Sequence, residues 1–134
     1  MSIEDFIGIP FKHSGRDNNG LDCFGLVLVL YKEVLNIDLP DYRDYEKCWY
    51  EKGKSILSEQ LNKFKSLWHE VGLNAIKPFD ILTFNHGSNT TNHCSVYLGD
   101  DKMIHTYERV PVVIDRLSNK YWNNRIRSVM RYDG

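Results

Sequence analysis

The chain has 134 residues, which is typical of one domain, and 42% of them are hydrophobic, enough to build a sizeable core. The formal net charge of −1 gives no electrostatic footprint for nucleic acid or an anionic membrane, so we expect neither as a partner. Three cysteines make an odd number without a CxxC pair, which argues against a disulfide framework and a zinc ribbon.

The beginning of the chain, Met1 to Phe6, has no basic segment leading into an apolar one. No later stretch is apolar for long enough to cross a membrane. We therefore expect a single domain over residues 1–134 that is made in the cytoplasm without a signal peptide.

The densest apolar run predicts the first helix, from Cys23 to about Asn36, buried on most of its surface. Leu39-Pro40 is expected to end it, because proline disfavours helix in the preceding residue. A second helical pattern extends from Tyr45 to Trp68, and Gly53 divides it into two pieces.

From Pro78 onward the apolar period changes to two, which predicts short strands. They cover residues 79–84, 93–98, 102–107, 110–115 and 127–131. Gly99-Asp100-Asp101 is a tight hairpin turn between the second and third strands, and a short helix is expected near Trp122. Helices followed by an antiparallel meander predict an α+β domain.

Cys23 lies where a turn opens directly into the first helix, in the run Gly20-Leu21-Asp22-Cys23-Phe24-Gly25-Leu26-Val27. The unpaired N–H groups and the dipole of a helix N-terminus stabilise a thiolate, the form of cysteine that attacks carbonyls. Cys23 is therefore a candidate nucleophile. Asp22 has two interpretations: a helix N-cap, which we favour, or a charge that opposes thiolate formation.

Two histidines downstream supply the base that such a nucleophile needs. His93 and His105 are about equally far from the turn at Asp100-Asp101, so the hairpin can place them side by side. If the Cys23 helix packs on this sheet, His93 takes the thiol proton and later returns it, while His105 fixes the imidazole tautomer. The predicted catalytic residues are Cys23, His93 and His105.

Each of these residues also has a structural interpretation. A cysteine beside an apolar helix is more often a small buried hydrophobe, and either histidine could be a satisfied core residue. Cys94 neighbours His93 but points to the other face of the strand, which indicates core packing. No HxxxH or CxxC pair indicates zinc, and we expect no metal and no cofactor. His86 lies in a turn-rich loop that we expect to border the site.

Both blocks resemble those of a known family. The run Ile7-Gly8-Ile9-Pro10-Phe11, then Gly15 and the Cys23 block, is similar to the cysteine motif of the NlpC/P60 peptidoglycan hydrolases. The run His93-Cys94-Ser95-Val96-Tyr97-Leu98-Gly99 with Met103-Ile104-His105 resembles their histidine motif, including the spacing of 105 − 93 = 12 residues. The resemblance is greatest to the domain of phage tail assembly proteins. It implies a papain-like fold, with the nucleophile helix packed on a central antiparallel sheet.

The chain departs from the family at the position where many members carry a tyrosine that helps to hold the oxyanion. Here this residue is Phe11, so the phenolic donor is missing. Backbone N–H groups at the helix terminus, or the side chains of His13 or Ser14, could replace it. Phe24 stands where a small residue is usual, which narrows the entrance.

The resemblance implies a cysteine endopeptidase that cleaves peptidoglycan stem peptides through a thioester acyl-enzyme, at the bond between γ-D-glutamate and a dibasic residue. It adds phage tail proteins as partners and delivery to the cell wall by a virion or another export route. Arg16, Lys12, Tyr42 and Arg109 are candidates for contacting substrate carboxylates. Two alternatives stay open: a weak or inactive tail-tip module, and another cysteine-dependent amidase or acyltransferase.

Overall fold

The computed structural model describes residues 1–41 and 65–134. Over these residues the chain forms an α+β domain, in which helix α1 (Cys23–Leu35) packs against a six-stranded antiparallel sheet. This confirms the predicted fold class. A two-stranded hairpin, β1 (Arg16–Asp17) with β2 (Gly20–Leu21), leads directly into α1.

The strands of the large sheet are β3 (Trp68–Val71), β4 (Ile81–Phe84), β5 (His93–Gly99), β6 (Lys102–Tyr107), β7 (Val110–Arg116) and β8 (Ile126–Tyr132). A short helix, α2 (Lys120–Asn123), precedes β8, and 3-10 turns cover Ile3–Phe6, Lys65–Leu67 and Leu73–Ala75. The spatial order is β3-β8-β4-β5-β6-β7. The predicted meander therefore holds for β4 to β7, whereas β8 inserts between β3 and β4.

Helix α1 ends at Leu35, within one residue of the predicted end, but not because of Leu39-Pro40. Asn36 adopts the left-handed conformation at φ 55°, its N–H donates to the carbonyl of Lys32, and Ile37 N–H donates to the carbonyl of Tyr31, both at 3.1 Å. The bond from the left-handed Asn36 to Lys32 is that of the αL type of helix C-terminus, and the two bonds satisfy carbonyls of the last turn. The prediction that Leu39-Pro40 ends the helix was wrong because Asn36 already does so.

The second predicted helix, from Tyr45 to Trp68, lies almost entirely outside the described residues. At its end the prediction was wrong, since Trp68 begins strand β3 and pairs with Tyr132 of β8. The Trp68 ring packs on the rings of Tyr132 and Tyr31, with centroids 5.5 Å and 5.9 Å away. Pairing with β8 and this aromatic packing override the local helical period.

The five strands predicted from Pro78 onward are confirmed to within a few residues at their ends. The turn between β5 and β6 is also confirmed, with positive φ at Gly99, Asp100 and Asp101 (90°, 52° and 64°). None of the helices in the described parts of the chain has the length and apolar character to span a membrane.

The sheet buries both of its faces. Side chains of α1 pack on one face of the sheet, which we call the helix face. The buried strand residues on this face are Ile81, Cys94, Val96, Ile104 and Val112. The second face has its own cluster, formed by Leu82, Phe84, Met103, Leu117, Trp122 and Val129. Because neighbouring residues of a strand point to opposite faces, His93 and Cys94 are separated by the sheet.

Candidate active site

Cys23 is the first residue of α1, and Asp22 is confirmed as the N-cap. The Asp22 carboxylate accepts the backbone N–H of Gly25 at 2.7 Å and that of Ser14 at 2.9 Å. It also accepts from the Arg16 guanidinium at 2.9 Å. One carboxylate therefore joins the start of α1 to the loop and hairpin before it.

Two glycines allow the backbone before α1 to lie very close to the first turn of this helix. A Cβ added at Gly25 would lie 2.0 Å from the Gly15 carbonyl oxygen, and one added at Gly15 would lie 2.3 Å from the Gly20 carbonyl oxygen. Neither position has room for a side chain. The backbone of the β1–β2 hairpin consequently rests directly on the first turn of α1.

The thiol of Cys23 is partly buried and contacts Cys94, the second residue of β5. The hydrogen bond between the two thiols, followed by burial, raises the pKa of the Cys94 thiol well above its usual range. Among the residues that the structure describes, no hydrogen bond joins Cys23 to the His93 ring. The predicted Cys23–His93 pair stays a prediction, and catalytic hydrogen bonds are often longer before substrate binds.

His93 and His105 are brought together as the hairpin predicted. Nε2 of His93 lies 2.8 Å from Nδ1 of His105, and both side chains are almost completely buried. The pairing of Val96 with Ile104 places the two histidines diagonally on the same face rather than directly opposite each other. His93 opens β5, so its ring lies at the end of the strand whose next residue contacts the Cys23 thiol.

Asp115, in β7, was not among the residues predicted from the sequence. Nε2 of His105 lies 2.7 Å from a carboxylate oxygen of Asp115, so three side chains form one hydrogen-bonded row: His93, His105 and Asp115. Pairing of β6 with β7 sets Met103 opposite Asp115, which puts this carboxylate diagonal to His105. Asp115 could have been predicted from the pairing of β6 with β7, as the histidine pair was from the β5–β6 hairpin.

Aromatic side chains enclose the row. Trp122 packs on His93 with the rings tilted by 31° and meets His105 edge-to-face, with centroid distances of 5.1 Å and 4.8 Å, and Phe84 lies 5.5 Å from His93. His86 lies 5.9 Å from His93, so its loop borders the row, and its place at an active site stays a prediction. His86 Nδ1 is 2.7 Å from the hydroxyl of Tyr121.

Burial shifts the titration of these histidines. Burial, then the neighbouring rings of His105 and His86, holds the pKa of His93 well below its usual range. Burial also lowers the pKa of His105, although its bond to Asp115 opposes that shift. A neutral His93 can accept a proton, as a general base must.

The other predicted residues surround the first turn of α1. Phe11 forms an isolated backbone bridge with Leu21, two residues before Cys23. Ser14 has a left-handed backbone, at φ 58°, and its N–H is used by Asp22. The structure places His13 next to it, and an oxyanion role for either residue stays a prediction.

Arg16 is held in a structural network. Its side chain is only 5% exposed, bonds to Asp22 and Asp41 at 2.9 Å each, and has its guanidinium carbon 5.6 Å from the centre of the Phe24 ring. Substrate contact by Arg16 and narrowing of the entrance by Phe24 stay predictions. Tyr42 lies outside the described residues.

No group of three or more His, Cys, Asp or Glu side chains in the described ranges is arranged to hold a metal ion. The row of His93, His105 and Asp115 is instead a set of proton donors and acceptors. Residues 8–131 match the sequence profile of the NlpC/P60 family. The chain belongs to the NlpC/P60 family. The resemblance seen in the two motifs is thereby confirmed.

Curated relatives of this NlpC/P60 domain share about a quarter of its residues. A gamma-DL-glutamyl hydrolase of Bacillus subtilis is 28% identical over 99% of this chain and 28% of its own length. A murein DD-endopeptidase/murein LD-carboxypeptidase of Escherichia coli is 26% identical, over 95% of this chain and 57% of the relative. Tail tip assembly protein K of Escherichia phage lambda is 27% identical, over 98% of this chain and 64% of the relative. The chain thus spans between about a quarter and two thirds of these proteins.

Solved structures share the fold. The NlpC/P60 domain of the peptidoglycan hydrolase SagA superposes with a TM-score of 0.62 and 18% identity, covering 96% of this chain and 91% of that one. An NlpC/P60 family protein of Bacillus cereus gives a TM-score of 0.66 and 24% identity, over 95% of this chain and 36% of that one.

Proposed function

We propose that the chain is a cysteine endopeptidase that hydrolyses an amide bond in the peptide stem of peptidoglycan. The observation that carries the proposal is the 2.8 Å bond between the buried rings of His93 and His105, at the end of the strand that touches the Cys23 thiol. A nucleophile, a base and a group that orients the base are the parts that thiol acyl transfer requires.

The proposed reaction begins with proton transfer. Nδ1 of His93 takes the Cys23 proton while the sulfur attacks the amide carbonyl carbon, and backbone N–H groups at the start of α1 stabilise the oxyanion. His93 then returns its proton to the leaving amine as the C–N bond breaks, which leaves a thioester. Water, deprotonated by His93, hydrolyses the thioester and restores the thiol.

The γ-D-glutamyl bond to a dibasic residue is our preferred site of cleavage. Support comes from the relative named a gamma-DL-glutamyl hydrolase, which matches 99% of this chain. The Escherichia coli relative is named for DD-endopeptidase and LD-carboxypeptidase activities, so the bond differs within the family. We propose delivery to the wall by a virion, in keeping with the lambda tail protein relative.

A tail-tip module with little activity is the second candidate. The relative named tail tip assembly protein K favours it, and so does Phe11, which offers no phenolic donor for an oxyanion. Loss of one oxyanion donor typically costs about 10²–10³ in kcat. An active but slow enzyme and a purely structural module are therefore distinguished by kcat, which is low in the first and zero in the second.

The deciding experiment is mass spectrometry of purified muropeptides of several stem chemistries after incubation with the wild-type chain, Cys23→Ala or Cys48→Ala. We expect stem fragments from the wild type and from Cys48→Ala, whose thiol has no proposed role, and none from Cys23→Ala. Fragment masses identify the bond.

The negative outcomes are distinct. No fragments, with rapid alkylation of Cys23, would replace the proposal with another cysteine-dependent amidase or acyltransferase. No fragments and an unreactive Cys23 would replace it with the structural module.

A further inference from the structure

The row of three side chains from His93 to Asp115 crosses three neighbouring strands. His93 belongs to β5, His105 to β6 and Asp115 to β7. The two bonds of the row measure 2.8 Å and 2.7 Å. His105, in the middle, is 0% exposed, whereas the side chain of Asp115 is 34% exposed and opens onto a surface pocket of about 480 Å³.

The chemistry of the last member determines the proton positions of the other two. An ionised carboxylate has acceptor atoms only, so the bond between Asp115 and His105 requires a proton on Nε2 of His105. A neutral imidazole has one N–H, which leaves Nδ1 of His105 as an acceptor. The bond between the rings then requires the proton of His93 to be on its Nε2.

We infer that Asp115 is a positioning residue that fixes the tautomers of both histidines and so leaves Nδ1 of His93 unprotonated, ready to act as the base. The catalytic role of Asp115 rests on the proposed function, whereas the tautomers of the two histidines do not depend on it. Asp115 never touches the reacting atoms. It acts through its hydrogen bond to His105, whose other ring nitrogen bonds to His93.

Asp115 also favours the charged intermediate. When His93 takes the thiol proton it becomes an imidazolium, and the nearby negative charge stabilises that cation through the polarised His105 ring. In the described part of the chain, the other titratable side chains in ring contact with His93 or His105 are His86 and Tyr107, and neither is a carboxylate. Among these neighbours only Asp115 carries a negative charge at neutral pH.

The chain provides a matched control. His69 and Asp133 form a second histidine–aspartate pair, on β3 and after β8, with both side chains about half exposed. That pair has no bond to the row. Asp133→Asn therefore changes the same chemistry at a place where no catalytic effect is expected.

Asp115→Asn keeps the shape of the side chain but can donate as well as accept. If its amide donates to Nε2 of His105, the proton of that ring moves to Nδ1 and meets the Nε2 proton of His93. His93 must then shift its own proton to Nδ1, where it blocks the base. Asp115→Glu, in contrast, retains the charge and is the rescue variant.

The first measurement is long-range ¹H–¹⁵N spectroscopy of the histidine rings near pH 7.5, with His93→Gln and His105→Gln for assignment. We expect protonated Nε2 and unprotonated Nδ1 on both rings of the wild type and of Asp133→Asn, and a changed tautomer in Asp115→Asn. Protonated Nδ1 on His105 of the wild type would overturn the inference, even if Asp115→Asn fails to fold.

The second measurement is steady-state hydrolysis of the muropeptide that the wild type cleaves. We expect kcat to fall about 10- to 100-fold in Asp115→Asn with little change in KM, part of the roughly 10²–10⁴ that general acid–base catalysis contributes. Asp115→Glu should recover part of the loss and Asp133→Asn should be unchanged. Equal kcat in the wild type and Asp115→Asn would refute the catalytic part. A wild type that cleaves nothing but has the expected tautomers would refute only the proposed function.

Discussion

The thiol of Cys23 contacts the thiol of Cys94, whose neighbour along β5 is His93. The two thiols differ in accessibility, because Cys94 is 1% exposed and Cys23 lies at the edge of the core. Cys94 also has a raised pKa, through its bond to Cys23 and through burial, which lowers its thiolate fraction.

Iodoacetamide should therefore modify Cys23 well before Cys94 in the folded chain at pH 7.5. Peptide mapping after short exposures gives the rate for each cysteine separately. In urea the difference should vanish, since burial is lost. Equal rates for Cys23 and Cys94 in the folded chain would contradict the described packing.

Stability should fall in mild acid because of His93. Burial and the rings of His105 and His86 hold the pKa of His93 well below its usual range, whereas unfolding returns it to about 6.5. Below that pH the unfolded chain binds a proton that the folded chain does not. The free energy of unfolding should then decrease by up to about 1.4 kcal/mol per pH unit for this residue as pH falls from about 6.5.

Urea denaturation of the wild type and of His93→Gln at pH 5 to 8 measures this effect. The variant should show the shallower slope below pH 6.5, and the two slopes should agree above pH 7. His69→Gln, at an exposed position, serves as the control. Parallel curves for the wild type and His93→Gln would exclude His93 as the source.

Asp22→Ala should be strongly destabilising. It removes the acceptor of the Gly25 and Ser14 N–H groups and leaves the buried Arg16 with one carboxylate fewer. Breaking a buried ion pair in this way costs about 3–5 kcal/mol. Asp22→Asn, which can still cap the helix, should lose less.

The measurement is again urea denaturation, with Asp17→Asn as the control, since Asp17 is exposed and accepts only the nearby Asn19 N–H in the described bonds. Equal stability of Asp22→Ala and the control would show that the Asp22 network contributes nothing.

Gly25→Ala should destabilise the chain although alanine is the better helix former by about 1 kcal/mol. The new Cβ would lie 2.0 Å from the Gly15 carbonyl oxygen, so the β1–β2 hairpin must move. Gly87→Ala, at φ 62° with open space around it, has backbone strain without a clash. Thermal unfolding should show the larger loss for Gly25→Ala, and a stabilised Gly25→Ala would contradict the close approach.

Local patterns predicted much of this fold. The change from a helical period to a period of two located α1 and the strands from β4 to β8, and hairpin symmetry located the His93–His105 contact. The left-handed Asn36 was missed because asparagine adopts this conformation only in some contexts. The pairing of β8 with β3 joins residues that are far apart in the sequence, so no local pattern predicts it. Trp68, which begins β3, was for this reason assigned to a helix.

The site was predicted in part for the same reason. Cys23 was found from a motif at the start of one helix and the two histidines from one hairpin, whereas Asp115 requires a third strand in register. The contact of Cys23 with Cys94 depends on where α1 crosses the sheet, which no local pattern encodes. A hydrogen-bonded row across three strands is thus harder to predict from the sequence than the two histidines within it.

Because β8 lies between β3 and β4, the sheet can be completed only late in translation. Residues 126–132 occupy the space between β3 and β4, so the sheet stays divided until the ribosome has delivered them. Such distant pairing is slow compared with helix formation. A nascent chain that has already exposed Cys23 and both histidines still lacks the complete sheet that orients them, so the candidate site forms only after translation has passed Tyr132.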